Sequence, residues 1–236
     1  RRLVEGLVAE LPRRATDLDR ARLLYAWTLA NIEPADNVFG AAPLMLAGRS
    51  GSRARVLHYL YELAGIDADL VVVRTVGADQ TVSPLPDDET YSTLLVRIGP
   101  ADAPIYISTN QRGTPFGYTA PAVRGQDALE LAADGGIVRI PETTVVEDRR
   151  TIDLDAQLAA DGSARIVVTE TFTGMPAIGW RTDLEGVPAA VLEERFEAAY
   201  VARMFPGAEL TSLDIDGREE NEGPLVMRYA FEIASL

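Results

Sequence analysis

The chain has 236 residues, 47% hydrophobic and 25% charged, which is enough for one large domain or two of ordinary size. Its formal net charge of −14 disfavours nucleic-acid binding, because an acidic surface repels phosphate backbones. It has no cysteine, which excludes disulfides, thiolate catalysis and cysteine-ligated metals, and its one histidine, His58, limits any histidine-dependent site.

Neither a membrane-spanning run of about 20 apolar residues nor a signal-peptide layout is visible in the sequence. The chain begins Arg1-Arg2-Leu3 without methionine, so we expect it to be a fragment of a longer protein.

The first part of the chain has helical periodicity. We predict a short helix over Arg1–Leu11, then a helix that runs to about Asn31. Thr16 and Asp19 have the spacing of a capping box at the start of that second helix. Pro43–Ala47 is predicted to form a short helical turn.

The segment Gly48–Ile66 predicts a flexible elbow followed by an amphipathic helix. Ser52 is suited to the N-cap and Gly65 to the C-terminal cap, which brackets about 13 helical residues. Ser50 would then lie near the positive end of the helix, where enzymes often place a nucleophile. One face of this helix is apolar and carries Ala54, Leu57, Tyr61 and Ala64.

Beyond Gly65 the apolar pattern changes to that of strands and loops. The expected elements are a buried strand at Leu70–Val73, a mobile loop at Gly77–Glu89, an antiparallel strand pair at Tyr91–Ile98 and Pro104–Thr109, an ordered loop at Asn110–Gly125 and a helical turn at Asp127–Leu131.

The pattern changes again near Pro141. Alternation of Ile152, Leu154, Ala156 and Leu158 with polar residues predicts a half-buried strand, which the turn Asp161-Gly162 joins to Ala164–Thr173. A helix over Pro188–Met204 and strands at Leu210–Ile215 and Leu225–Ile233 follow. We therefore predict an α+β protein with one domain over residues 1–145 and a β-rich domain with one inserted helix over residues 146–236.

Several motifs in residues 16–145 resemble those of the transglutaminase-like superfamily, which has the papain-like cysteine-enzyme fold. The closest resemblance is to its bacterial multidomain branch, in which flanking β-domains accompany the core. The segment Gly48–Ile66 is similar to the family's stretch from the Gly-Asp-Cys motif through the helix that follows. The other matching segments are Tyr25-Ala26-Trp27 with Asn31-Ile32, Leu70–Arg74, Phe116-Gly117-Tyr118, Pro121 and Asp127-Ala128-Leu129.

The resemblance places all three positions of the family's catalytic triad on substituted residues. The nucleophilic cysteine falls on Ser50, the histidine on Thr93 and the aspartate on Ser108. An alternative alignment of Gly51-Ser52-Arg53 with Gly-Asp-Cys puts Arg53 in the nucleophile position. Neither alignment supplies a thiol, and a serine nucleophile needs a base that Thr93 cannot provide. We expect no catalytic residue here, and we expect Ser50, Thr93 and Ser108 to fill a vestigial site.

Other functional candidates have simpler structural interpretations. His58 is predicted to be a partly buried structural residue, and Asp214-Ile215-Asp216-Gly217 a strand-ending turn instead of a calcium loop, so no metal site is expected. An aromatic set could line a peptide or glycan groove, although ordinary packing also accounts for it; its members are Trp27, Tyr91, Tyr106, Phe116 and Tyr118.

The sequence thus favours an inactive transglutaminase-like domain that serves as a scaffold or binding module, without a cofactor. Its partners would be a peptide, a protein or other domains of the same chain, and the resemblance implies an exported parent protein in the periplasm or cell envelope. Two alternatives stay open: a peptidase or acyl transferase that uses Ser50 or residues outside this chain, and a groove that binds peptide or glycan without turnover.

Overall fold

A computed structural model of the chain describes residues 1–12, 14–35, 40–77, 90–132 and 134–234. Helices and two large antiparallel sheets are the main elements of these residues, which confirms the predicted α+β class. The chain divides into two compact units, unit 1 (Arg1–Val145) and unit 2 (Val146–Leu236). The predicted loop Gly77–Glu89 lies outside the described residues except for Gly77.

Unit 1 begins with helices whose ends follow local sequence signals. The capping box is present, because the Thr16 hydroxyl accepts from the Asp19 amide at 3.2 Å and the Asp19 carboxylate accepts from the Thr16 amide at 2.8 Å. The α-helices in the described part of unit 1 are α1 (Arg2–Ala9), α2 (Asp17–Asn31), α3 (Ala42–Gly48) and α4 (Arg53–Ala64). Two short parallel strands, β1 (Glu33–Pro34) and β2 (Ser50–Gly51), pair just before α4.

A five-stranded antiparallel sheet completes unit 1. Its spatial order is β5-β4-β3-β6-β7, so the predicted pairing of β4 with β5 is confirmed. The predicted helical turn at Asp127–Leu131 is wrong, because this segment pairs with β3 and β7 as a strand. The strands are β3 (Ala68–Arg74), β4 (Tyr91–Ile98), β5 (Ile105–Ile107), β6 (Asp127–Glu130) and β7 (Ile137–Arg139).

Alternate residues of β4 face two different apolar cores. Val96 and Ile98 lie in the core that contains the buried face of α4, and Leu94 packs against that core. Leu95 lies in a second core with Val71 and Val73 of β3. Because side chains alternate across a strand, the first of these faces points towards α4 and the second away from it.

Unit 2 is a four-stranded antiparallel sheet in the order β10-β11-β9-β8, with helical segments between β9 and β10. Its apolar core joins the inward residues of three strands to these helical segments. The strands are β8 (Arg149–Leu158), β9 (Ala164–Thr173), β10 (Ala208–Asp216) and β11 (Leu225–Ile233). The helices are α5 (Met175–Leu184), α6 (Ala189–Phe196) and α7 (Ala202–Met204), and a π-helical turn, Glu197–Val201, joins the last two.

Two predictions for unit 2 need correction. All ten residues of β8 are exposed, so the predicted half-buried strand is wrong, although the strand and its hairpin with β9 are present. The predicted helix Pro188–Met204 is interrupted by the π-helical turn, and α5 was not predicted. The predicted strand at β11 is present, and its five alternating apolar residues from Leu225 to Ile233 are all buried.

Candidate functional site

The first turn of α4 is built from short-range signals. Ser52 is the N-cap residue, and its hydroxyl accepts from the Arg55 amide at 3.4 Å. Gly65 ends the helix in the left-handed conformation, with φ of 72°. The predicted limits of this helix are therefore confirmed. Gly51, just before the cap, has φ of +130°, and a Cβ atom built there would lie 2.8 Å from the Met45 side chain. Only glycine fits this approach to α3.

Hydrogen bonds hold the start of α4 beside the end of α2. Arg53 is 5% exposed, and its Nε donates to the Ile32 carbonyl at 2.7 Å. The Glu33 amide donates to the Arg49 carbonyl at 2.9 Å as β1 meets β2. Both contacts fix the position of the first helical turn relative to the loop that follows α2.

A cleft of about 540 Å³ opens at this first turn, and we call it the α4 cleft. Backbone and side chains from α3, α4, β4 and the segment after β5 form its walls. Among its described lining residues there are two arginines and no carboxylate, in a chain of net charge −14. The lining residues are Pro34, Ala35, Met45, Gly51, Ser52, Arg53, Ala54, Arg55, Ser92, Leu94, Thr109 and Asn110.

The three positions that the first alignment assigns to the triad do not line this cleft. Ser50 pairs with Glu33 in the β1–β2 ladder. Thr93 occupies the face of β4 opposite Ser92 and Leu94, which do line the cleft. The Ser108 carbonyl accepts from the Tyr25 hydroxyl at 3.1 Å. Within the described residues no hydrogen bond joins the three hydroxyl side chains.

Arg53, the nucleophile position of the alternative alignment, does lie on the cleft wall, at the first residue of α4. An arginine there cannot attack a carbonyl carbon, because its guanidinium stays protonated.

The five aromatic residues do not form a shared groove. Tyr106, Phe116 and Tyr118 are buried, and the first two belong to different apolar cores. The Phe116 ring packs edge-on against Tyr25 at 5.5 Å between centroids. The Trp27 ring lies under the Arg49 guanidinium at 4.7 Å. Neither these residues nor the half-buried Tyr91 are among those that line the α4 cleft.

His58 and the Asp214–Gly217 turn have structural contacts. His58 is partly buried, as predicted, and its Nε2 donates to the Ala68 carbonyl at 2.9 Å, which ties α4 to β3. The Arg228 guanidinium bridges Asp214 and Asp216 at 2.9 and 2.5 Å, where β10 ends. No group of three or more metal-ligating side chains occurs within the described ranges.

Unit 2 contains a polar group around a buried carboxylate that the sequence reasoning missed. We call it the Glu170 cluster, and its members are Glu170, Arg150, Tyr200 and Tyr229. Glu170 is 0% exposed. One of its carboxylate oxygens accepts from the hydroxyls of Tyr200 and Tyr229 at 2.7 and 2.6 Å. The other accepts from the Arg150 Nε at 2.6 Å. The alternation of Ile166, Val168 and Phe172 along β9 is the signal that would have placed Glu170 on the inward face.

The surroundings of the cluster raise the pKa of three of its side chains, Arg150, Tyr200 and Tyr229. Burial, reinforced by the hydrogen bonds to Glu170, raises the pKa of Tyr200 and of Tyr229. The hydrogen bond from Arg150 to the carboxylate raises the pKa of that guanidinium. The phenols therefore stay protonated as donors over the whole neutral range.

None of the described helices combines the length and apolar character needed to cross a membrane.

The chain matches no protein-family model and no curated protein. Among solved structures it is similar to the crystal structure of a putative protease from Parabacteroides distasonis ATCC 8503, with 13% sequence identity and a TM-score of 0.45. The match covers 98% of this chain and 48% of that protein, so the chain spans about half of its length.

Proposed function

We propose that unit 1 is a non-catalytic, transglutaminase-like domain that binds a ligand in the α4 cleft as part of a larger protein. The observation that carries the proposal is the chemistry of the cleft walls. They bring polar donors and two arginines together at the first turn of a helix, and the described wall residues include no pair of nucleophile and base.

Among the described residues, the hydroxyls at the start of α4 have no general base as a partner. The Ser52 hydroxyl accepts a hydrogen bond from the first helical turn as its cap. His58, the only histidine, lies five residues beyond Arg53, about 8 Å along the helix axis, and donates to the Ala68 carbonyl. A hydroxyl without a general base is a weak nucleophile, and such a base typically contributes 10²–10⁴-fold to the rate.

The alternative of a Ser50-dependent peptidase or acyl transferase has less support, because Ser50 lies outside the cleft wall in the β1–β2 ladder. A glycan groove on the aromatic set lacks support because three of those rings are buried.

Turnover assays test the proposal directly. We expect the chain to show neither amide hydrolysis nor transamidation above the buffer rate, and no labelling by a fluorophosphonate serine probe. Ser50→Ala and Ser52→Ala should leave both readouts unchanged. Turnover or labelling that either substitution abolishes would overturn the proposal.

A further inference from the structure

We infer that the α4 cleft binds the C-terminal carboxylate of a peptide that ends in an apolar residue. This inference rests on the proposed function, because it requires a cleft that holds its ligand without reacting with it.

The first turn of α4 presents a backbone donor to the cleft. Ala54 is the second residue of the helix, so its amide has no acceptor within α4. Ser52 caps the Arg55 amide, and no described residue accepts from the Ala54 amide. Ala54 is only 3% exposed and lines the cleft. A negatively charged oxygen atom at this end of a 12-residue helix would satisfy the amide and interact favourably with the helix dipole.

A second, independent donor comes from the segment after β5. Thr109 is 3% exposed and lines the cleft, and its hydroxyl has no hydrogen-bond partner among the described residues. The Thr109 Oγ1 atom is itself not fully buried, although the residue as a whole is. The hydroxyl is therefore available to an oxygen atom of a ligand in the cleft.

The positive charge of the cleft wall favours an anionic ligand for these donors. Arg55 is exposed on the cleft wall, and no described residue forms an ion pair with its guanidinium. Arg53 adds a second positive charge to the wall, and none of the described lining residues is acidic. In an acidic chain, such a cleft attracts anions.

The remaining walls favour a peptide carboxylate over inorganic phosphate. Pro34, Met45 and Leu94 place apolar surface beside the donors. An apolar terminal side chain can bury itself there, whereas phosphate has no apolar part. A peptide with an apolar last residue can therefore place its carboxylate at the donors and its side chain against this apolar surface.

A matched pair of peptides tests the inference with the full chain labelled with ¹⁵N. The probes are acetyl-Ala-Ala-Leu with a free carboxylate and the same peptide with a C-terminal amide, and inorganic phosphate is titrated separately. We expect the acid to bind at least tenfold more tightly than the amide or phosphate, with the largest amide shifts at Ala54, Arg55 and Thr109. Equal binding of acid and amide, tighter binding of phosphate, or no binding of any probe would overturn the inference.

Two substitutions separate binding from folding. Arg55→Gln and Thr109→Val should each weaken binding of the acid about tenfold. Neither should destabilise the free chain, because Arg55 is an exposed cation at the positive end of a helix and the Thr109 hydroxyl has no hydrogen-bond partner among the described residues to lose. The exposed Arg14, which precedes α2, supplies the control Arg14→Gln with the same change in charge and no expected effect.

Unchanged binding in both cleft variants would overturn the inference while leaving the proposed function intact. Hydrolysis of the peptides would instead contradict the proposed function, so the two failures are distinguishable.

Discussion

The α4 cleft of unit 1 and the Glu170 cluster of unit 2 both contain polar groups on largely buried residues. In the Glu170 cluster, both carboxylate oxygens accept hydrogen bonds from named side chains, and Glu170 is fully buried. In the cleft, the Ala54 amide and the Thr109 hydroxyl face an open volume without a partner among the described residues. Closed networks of this kind support the fold, whereas open donors at a cavity are available to a ligand.

Removing the Glu170 carboxylate tests whether the Glu170 cluster stabilises the fold, and it should have the largest effect on stability. Glu170→Ala leaves two phenol hydroxyls without their shared acceptor, while the 42% exposed Arg150 side chain can be hydrated, so we expect the free energy of unfolding to fall by about 2–4 kcal/mol. Urea denaturation monitored by circular dichroism measures this loss. Glu232→Ala, at an exposed position of the neighbouring strand, should change stability by less than about 0.5 kcal/mol. A loss below about 1 kcal/mol at Glu170 would contradict the stabilising role of the cluster.

High pH should weaken the same cluster. The folded chain holds the phenol protons of Tyr200 and Tyr229 because their pKa values are raised, while the unfolded chain releases them above about pH 10. Their stabilisation is therefore complete below pH 10 and is lost as the pH rises beyond it. Each such proton contributes a slope of about 1.4 kcal/mol per pH unit.

In the Tyr229→Phe variant, the free energy of unfolding should fall less steeply between pH 10 and 12, because one phenol fewer titrates. Urea denaturation at several pH values in this range measures the slope. A slope identical to that of the parent chain would show that Tyr229 ionises as freely in the folded state as in the unfolded one.

One polar group of the α4 cleft, the Ser52 hydroxyl, does have a structural role. Ser52→Ala removes the cap of α4 and should lower the free energy of unfolding by about 1 kcal/mol. The matched change Ser50→Ala should cost less than about 0.5 kcal/mol, since Ser50 has no recorded side-chain hydrogen bond among the described residues. Equal losses in thermal unfolding would contradict this distinction.

The exposed strand β8 allows the same comparison between an exposed and a buried position for apolar side chains. The expected change in stability at its exposed position is the smallest of those considered. Leu154 is 54% exposed, although it pairs with Val168, which is 2% exposed. We expect Leu154→Ala to cost less than about 1 kcal/mol and Val168→Ala about 2 kcal/mol in urea denaturation. A larger loss at Leu154 would show that another surface covers this face of β8 in solution.

The elements that could be predicted from the sequence depend on neighbouring residues. The capping box of Thr16 and the caps Ser52 and Gly65 need only a few residues of context, and all three are present. Strands β4 and β11 also have the predicted limits, because sustained apolar patterns identify both.

The elements that were missed depend on distant partners. Asp127–Glu130 looked helical in isolation, but pairing with β3 makes it a strand. The alternation in β8 correctly indicates a strand, yet burial also needs a covering layer, and β8 is exposed. Helix α5 was missed because Pro176 and Gly179 weaken its helical signal, although Pro176 lies in the first turn, where proline is tolerated.

The same dependence on distant contacts explains which residues of the α4 cleft could not be predicted from the sequence. Thr93 and Ser92 are adjacent in sequence, but only Ser92 shares the α4-facing side of β4 with Leu94 and Val96. A shift of one residue in an alignment therefore moves a side chain to the other face of the sheet. Extrapolating the alternation backwards from Val96 would have identified Ser92 as a wall residue, whereas no local pattern identifies Thr109 or Asn110.

The π-helical turn at Glu197–Val201 has a consequence for how the chain tolerates changes in length. Phe196 and Val201 are both buried, although residues five apart lie about 140° apart around a regular α-helix. The wide turn, in which the Ala202 amide donates to the Glu197 carbonyl, accommodates the additional residue. Deleting one residue here would restore regular helical geometry but rotate one side of the helix by about 100° relative to the other. Tyr200 and Val201 could then no longer keep both of their present positions, so the inserted residue is a structural requirement of the Glu170 cluster.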